Sequence, residues 1–288
     1  MSTLQNKIDF ALVLRVKHAN PNGDPLNGNR PRTDYGGLGE ITDVCLKRKL
    51  RDRLQERWQA NGNEAGQAIF VQSDDRKIDG ETSLRNRAES TTNGIGKDAF
   101  KKTANKDATA KLACDKWFDV RAFGQVFAFA SGSDAGGVSI PIRGPVTIQS
   151  AFSLEPVAIT STQITKSVSG EGDGSKRGSD TMGMKHRVDS GIYVTYGSIN
   201  SQLAERTGFS NSDAGTLKAT LPKLFENDAS SARPDGSMEV VKVIWWEHNC
   251  KAGQYSSAKV HRSLTVAEDG AISLAELPAL MPLVIDGF

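Results

Sequence analysis

IDFALVLRV, residues 8–16, runs straight into HANPNGDP, residues 18–25, and the junction between the two decides how the chain is read. The first stretch is apolar and β-branched, at a length that suits a strand buried on at least one face. The second opens a run of about twenty residues dense in turn formers, continuing through Asn27, Gly28, Asn29, Arg30, Pro31 and Arg32 to Gly36 and Gly37; a loop that long inside a compact domain is functional or disordered.

Beyond the loop, Thr42 is a good N-cap for a helix that runs to Asn61 and Gly62, with Leu50, Leu54 and Trp58 recurring every four residues as its buried stripe. Ala68 to Gln72 reads as a short strand. Residues 74–116 carry ten Lys or Arg against eight Asp or Glu with little apolar periodicity, so they read as a partly helical insertion. Residues 119–129 show helix-like spacing interrupted by Gly124. VTIQSAFSLEPVAI, residues 146–159, reads as a long strand whose Pro156 marks an edge or a bulge. A second excursion, 161–187, holds the glycine-rich GEGDG. Residues 191–197 then read as a strand, 212–226 as a helix and 238–247 as a strand. Without the insertions the order is strand, helix, strand, strand, helix, strand, an α+β class with the βαββαβ arrangement of ferredoxin-like and RNA-recognition folds. A generic α+β enzyme has the same order available to it.

The bulk properties exclude several classes. Of 288 residues 38% are hydrophobic and 24% charged, as in soluble globular chains, and the net charge of +2 lends a polyanion partner little support. Cys45, Cys114 and Cys250 are widely spaced and odd in number, with no zinc or redox spacing, and so read as free thiols. There is no signal-like apolar segment at the N-terminus and no run long enough to span a bilayer, which makes a cytoplasmic location the expectation.

Charge placement says more than total charge. Lys47, Arg48, Lys49, Arg51, Arg53 and Arg57 crowd the first helix. Lys47 precedes Leu54 by seven residues and Trp58 by eleven, so it shares the sector of that stripe, with Arg51 beside it. Either the two side chains snorkel to solvent, or they reach over the sheet edge to phosphates. The helix N-terminus near Thr42 and Asp43, facing the Gly36 to Gly39 stretch, suits an anion, although Asp43 opposes one. Asn20, Asn22, Arg30 and Arg32 add hydrogen-bond donors, or else simply belong to a turn cluster. In the second excursion Lys166, Lys176, Arg177, Lys185 and Arg187, with Met182 and Met184, read either as a hairpin that lies along nucleic acid and wedges between bases or as disordered surface. For catalysis, His18, His186, His248 and His261 are scattered and no hydrolase or metalloprotease motif occurs. Asp24 and Asp34 are the loop carboxylates that could position a hydroxyl or a metal, and both also suit turns.

NPNGDP, GEITDVCLKRKLRD, DVRAFGQVFA, IRGPVTIQSAFS, HRVDSGIYVTYGSIN, LFENDASSARPDGSMEVVKVIWW and AKVHRS closely resemble the backbone subunit of type I-C CRISPR Cascade complexes, the Cas7 family in its I-C group. The resemblance runs from about residue 8 to 264. It leaves out the tail SLAELPALMPLVIDGF, which reads as a short helix and a docking strand. The resemblance implies one RNA-recognition-like palm over residues 1–288, with 74–116 as an inserted web and 161–187 as a thumb. It implies several copies stacked along one CRISPR RNA, which is held without regard to sequence and offered for pairing with target DNA. It implies as further partners the large subunit of the complex and the subunit that processes the CRISPR RNA, and no cofactor, metal or catalysis. Carried onto this sequence, the RNA-binding residues are Lys47, Arg48 and Arg51, then Asn22, Arg32, Arg143, Lys185, Arg187 and Arg233, with Lys166, Arg177, Met182 and Met184 on the thumb. Related type III subunits cut target RNA with a loop aspartate, and Asp24 or Asp34 would stand in that place here.

Overall fold

The computed structural model describes residues 2–129, 138–168 and 182–288. β1, Ile8–Ala19, is buried on both faces over most of its length, which is why its sequence is a continuous apolar run instead of an alternation. β2 (Gly23–Asp24) and β3 (Arg30–Pro31) pair as a small ribbon within the Asn-rich loop, and β4 (Leu38–Ile41) brings the chain to one edge of the main sheet. α1, Asp43–Ala60, starts at the expected cap: Thr42 Oγ1 accepts a hydrogen bond from Cys45 N at 3.3 Å. Its buried stripe is Leu46, Leu50 and Leu54, while Trp58 is only half-buried.

Residues 68–72 form no strand beyond one isolated bridge between Ala68 and Trp117. The reason lies in the side chain of Asp119, whose two oxygens accept from Phe70 N at 2.7 Å and Val71 N at 3.1 Å, taking the donors a neighbouring strand would need. The insertion holds α2 (Leu84–Glu89) and α3 (Lys106–Lys116), followed by α4 (Phe118–Phe123). At Gly124, whose φ is 81°, the chain leaves α4 for β5 (Gly124–Phe129), which pairs with β6 (Val138–Arg143). The helical periodicity of 119–129 thus covers a helix and a strand joined at the one residue that tolerates the turn. Phe70, Trp117, Phe127 and Phe100 pack there as a small separate core.

The stretch expected as one strand over 146–159 is three: β7 (Val146–Ile148), β8 (Ala151–Pro156), and the start of β9 (Ile159–Thr165). Pro156 ends the second of these. β10, Met182–Ile199, is far longer than the expected 191–197, because its first half pairs with β9 as a hairpin and its second half with β1. The GEGDG tip, Lys176 and Arg177 lie outside the described residues. α5 (Ser201–Thr207), unexpected, precedes α6 (Asn211–Thr220), which stops short of 226 in a 3-10 turn at Leu221–Lys223. β11 (Met238–Glu247) follows as expected, then α7 (Ser257–His261), β12 (Leu264–Val266), β13 (Ile272–Leu274) and β14 (Pro282–Asp286). The tail does dock as a strand, β14 on β11, but residues 275–281 hold no helix.

The main sheet runs β14-β11-β1-β10-β8-β4 with every neighbour antiparallel, β7 and β9 adding to β10. One face, carrying Phe10, Leu12 and Leu14, is covered by α1 and α6; the other, carrying Ala11, Val13 and Trp246, is covered by Val260 of α7, Leu264, Leu277 and Leu280. The fold is a mixed α/β arrangement around one large antiparallel sheet.

Candidate nucleic-acid interface

Where the Asn-rich loop returns to α1, its side chains are fastened by their own hydrogen bonds. Asn22 Oδ1 accepts from both Thr42 N (2.9 Å) and Thr42 Oγ1 (2.8 Å), so the loop is tied to the helix cap. Asn20 Nδ2 donates to Asn29 O at 2.7 Å, and Arg32 N donates to Asn22 O at 3.0 Å. The Gly36 to Gly39 stretch does not face the helix N-terminus as expected: Leu38 and Glu40 pair with β8, and Gly39 N donates to Ser153 Oγ at 2.8 Å.

Between this loop, the first three turns of α1 and the 228–233 loop lies an open cleft of about 860 Å³. It gathers four of the residues carried over as RNA-binding, Asn22, Arg32, Arg48 and Arg233, together with Lys49, Arg76, Asp52, Asp75 and Asp228. Cations and carboxylates balance along its walls, which is why the bulk charge of the chain hid it. Arg48 pairs with Asp52 and donates to Val71 O at 2.6 Å. Burial raises the Asp52 carboxyl above the ordinary carboxylate range against the pull of Arg48. Among the described residues Arg32 has one loose contact, Nη2 to Asp24 Oδ1 at 3.3 Å, and its buried Nε takes no partner. A buried guanidinium donor left without a partner at the wall of a cleft suits an anionic acceptor.

Lys47 and Arg51 are elsewhere. Lys47 shares the sector of Leu50 and Leu54 but is only half-buried and holds Asp43 at 2.8 Å; the lysine that is fully buried is Lys49, three positions from Leu46. Arg51 turns inward, Nε to Asp119 Oδ2 at 2.9 Å, with its guanidinium 5.1 Å from the Phe123 ring. Arg143 lies at the end of β6, exposed. The β9–β10 hairpin carries the rest. Its register puts Met182 and Met184 on one face, opposite Thr165 and Gln163, and Lys185 and Arg187 on the other, opposite Thr162 and Thr160. Both methionines are exposed, and among the described residues Arg187 has only Asp189 at 3.8 Å as an ion-pair partner. Lys166 follows the end of β9.

Asp24 and Asp34 both serve turns. Asp24 accepts from Leu26 N at 3.2 Å and caps the 3-10 turn Pro25–Asn27; Asp34 accepts from Leu38 N at 2.9 Å. Among the described residues no group of three or more His, Cys, Asp or Glu is placed to hold a metal. The three cysteines are free, as expected, and burial pushes the Cys114 thiol up to about 12. No helix among the described residues is long and apolar enough to cross a membrane.

Lys49, named only as one of the basic run, was not chosen as a site residue from the sequence, and Arg76 and Asp228 were not found at all. The spacing of Lys49 from Leu46 would have found it, had the helical stripe been started at Leu46 instead of ending at Trp58; loop residues 76 and 228 carry no periodic signal.

Residues 6–277 match the family model described as CRISPR-associated protein Cas7. A relative of that same description from Haloferax volcanii is 28% identical over 305 residues, covering 99% of this chain and 85% of its own. Two solved structures are also similar: a pre-nicking CRISPR RNA-guided surveillance complex (TM-score 0.46, 16% identity, 83% of this chain and 78% of that one) and a CRISPR RNA-guided surveillance complex (TM-score 0.41, 15% identity, 83% and 68%).

Proposed function

The chain belongs to the CRISPR-associated Cas7 family, and we propose from that premise that it is a repeated backbone subunit of a CRISPR RNA-guided surveillance complex of the type I-C group. In this role it grips the guide RNA by its sugar-phosphate backbone and leaves the bases to pair with target DNA. The observation that carries the reading is the cleft in which Asn22, Arg32, Arg48 and Arg233 converge with a buried donor on Arg32 that takes no partner among the described residues. Guides differ in every complex, so only phosphate-directed contacts serve them all.

The strands β11, β1, β10 and β8, fourth, first, third and second in the six-element order, lie side by side and antiparallel. That order supports a ferredoxin-like, RNA-recognition-like palm, with 74–116 as web and the β9–β10 hairpin within 161–187 as thumb. On the thumb Lys185 and Arg187 would follow the backbone, and Met182 and Met184, on the opposite face, would wedge against bases. The partners are then the guide RNA, target DNA, further copies of this chain, the large subunit and the RNA-processing subunit, in the cytoplasm. We read the subunit as a scaffold and not a nuclease, since Asp24 and Asp34 are both engaged in turns.

The test is the salt dependence of guide binding. Arg32→Ala with Arg233→Ala is expected to weaken binding of unrelated guides equally, and to reduce the slope of log K against log salt by about 0.7 for each phosphate no longer neutralised. A loss confined to certain guides would mean base readout and would overturn the proposal.

A further inference from the structure

At the floor of the cleft three charges are stacked from core to solvent. Lys49 is 4% exposed, Asp228 15% and Arg233 28%. Asp228 Oδ2 accepts from Arg233 Nε at 3.0 Å, and the same oxygen takes the Lys49 ammonium. Because Asp228 engages the guanidinium at Nε, the two terminal nitrogens of Arg233 take no hydrogen bond within the described residues and remain as a fork at the cleft wall.

This stack is not needed to hold its loop in place. Arg76 Nη2 donates to Asn227 O, Asn20 N donates to Ala232 O at 2.9 Å, and Ser230 and Arg233 pair through their backbones at 2.9 and 3.0 Å. A buried ammonium is costly: burial lowers the pKa of Lys49, with Asp228 pulling the other way. Its presence makes electrostatic sense if Asp228 must orient an arginine without cancelling it. Asp228 and Arg233 alone would sum to zero, and would attract a phosphate less; with Lys49 beneath, the trio is left one positive charge, presented at its outermost member.

We propose that Arg233 contacts a backbone phosphate, that Asp228 is its positioning residue, and that Lys49 supplies the counter-charge that keeps the arginine's charge available. The proposal rests on the reading of the cleft as a polyanion site. It divides the cluster into one residue that touches ligand and two that act through it.

The variant Lys49→Met with Asp228→Asn tests this without leaving either buried charge alone, and it keeps the net charge of the trio unchanged. Purified full-length protein is titrated against a labelled single-stranded RNA of mixed sequence over a salt series, with thermal melting as the check on folding. The expected result is a several-fold loss of affinity at an unchanged salt slope. In an Arg233→Ala background the same pair of changes is expected to cost nothing further, the signature of coupling through Arg233. Asp228→Asn alone should also weaken binding. Wild-type affinity in the double variant, or tighter binding by Asp228→Asn, overturns the positioning role, because Asp228 would then be a bystander or a repulsive charge. If Arg233→Ala and Arg32→Ala each bind as wild type with an unchanged slope, the cleft reading itself fails.

Discussion

Asp9 lies on the central strand with its side chain fully buried, on the face covered by the C-terminal segment, and three cations or potential cations close on it. Lys7 Nζ is 2.9 Å from its Oδ2, His248 Nε2 is 2.8 Å from the same oxygen, and His261 Nε2 is 3.7 Å from Oδ1. Gln254 N donates to His248 Nδ1 at 2.9 Å, so Nε2 is the nitrogen that carries the proton toward Asp9. Burial opposes charge on Asp9, but hydrogen bonds from His248, Ser257 and Lys7 outweigh it and hold its carboxyl below the usual range. A carboxylate with a depressed folded pKa contributes stability above its unfolded value of about 3.9, and that contribution disappears as pH falls through the folded value. Asp9→Asn is therefore expected to cost about 3 kcal/mol at pH 7, the scale of a broken buried pair, and to flatten the acid limb of stability below about pH 4. Urea unfolding at both pH values reads this, and an unchanged acid limb would contradict it. Residue-scale chemistry was the part least legible in the sequence. The basic run on α1 was visible, but which of its members face inward depends on partners far along the chain: Asp119 takes Arg51, and Asp228 takes Lys49. Spacing from Leu46 places Lys49 on the inward side, but no spacing within the helix reveals its partner or that of Arg51.

At the scale of elements, periodicity located what local sequence controls. Thr42 caps α1, and β1 and β11 lie where their apolar runs are; Gly124 stood out as an interruption, but the strand that follows it was not legible. It failed where an element's identity is set by a distant neighbour. Residues 68–72 have the composition of a strand and no strand to pair with, because a carboxylate occupies their donors. β10 extends ten or so residues past its readable core because β9 pairs with it, and the polar composition of that extension hid it. The β9–β10 hairpin contributes little to either core, so its loss is expected to spare the fold. Joining Thr162 to Lys185, which face each other across the hairpin, through an Asn-Gly turn removes Lys166, Arg177, Met182 and Met184 together. That variant is expected to melt within a few degrees of the parent, by analogy with other surface changes, and to bind guide RNA more weakly. A collapsed melting temperature would show that the hairpin is structural, and undiminished binding would remove it from the nucleic-acid interface.

For the molecule as a whole, both faces of the sheet are covered, one by α1 and α6 and the other by the segment from α7 to the tail. The open concave surface lies instead at the edge, where the Asn-rich loop, α1 and the 228–233 loop form the cleft. A net charge of +2 would suit the proposed stacking, since strongly like-charged copies would repel one another. The sequence-independent grip on a guide is tested most directly by recovering the chain from cells that express it with a CRISPR array, and sequencing the RNA that travels with it. The expected result is short RNA of uniform length whose sequences follow the array's many spacers without a shared motif; no RNA, or one sequence only, would contradict it.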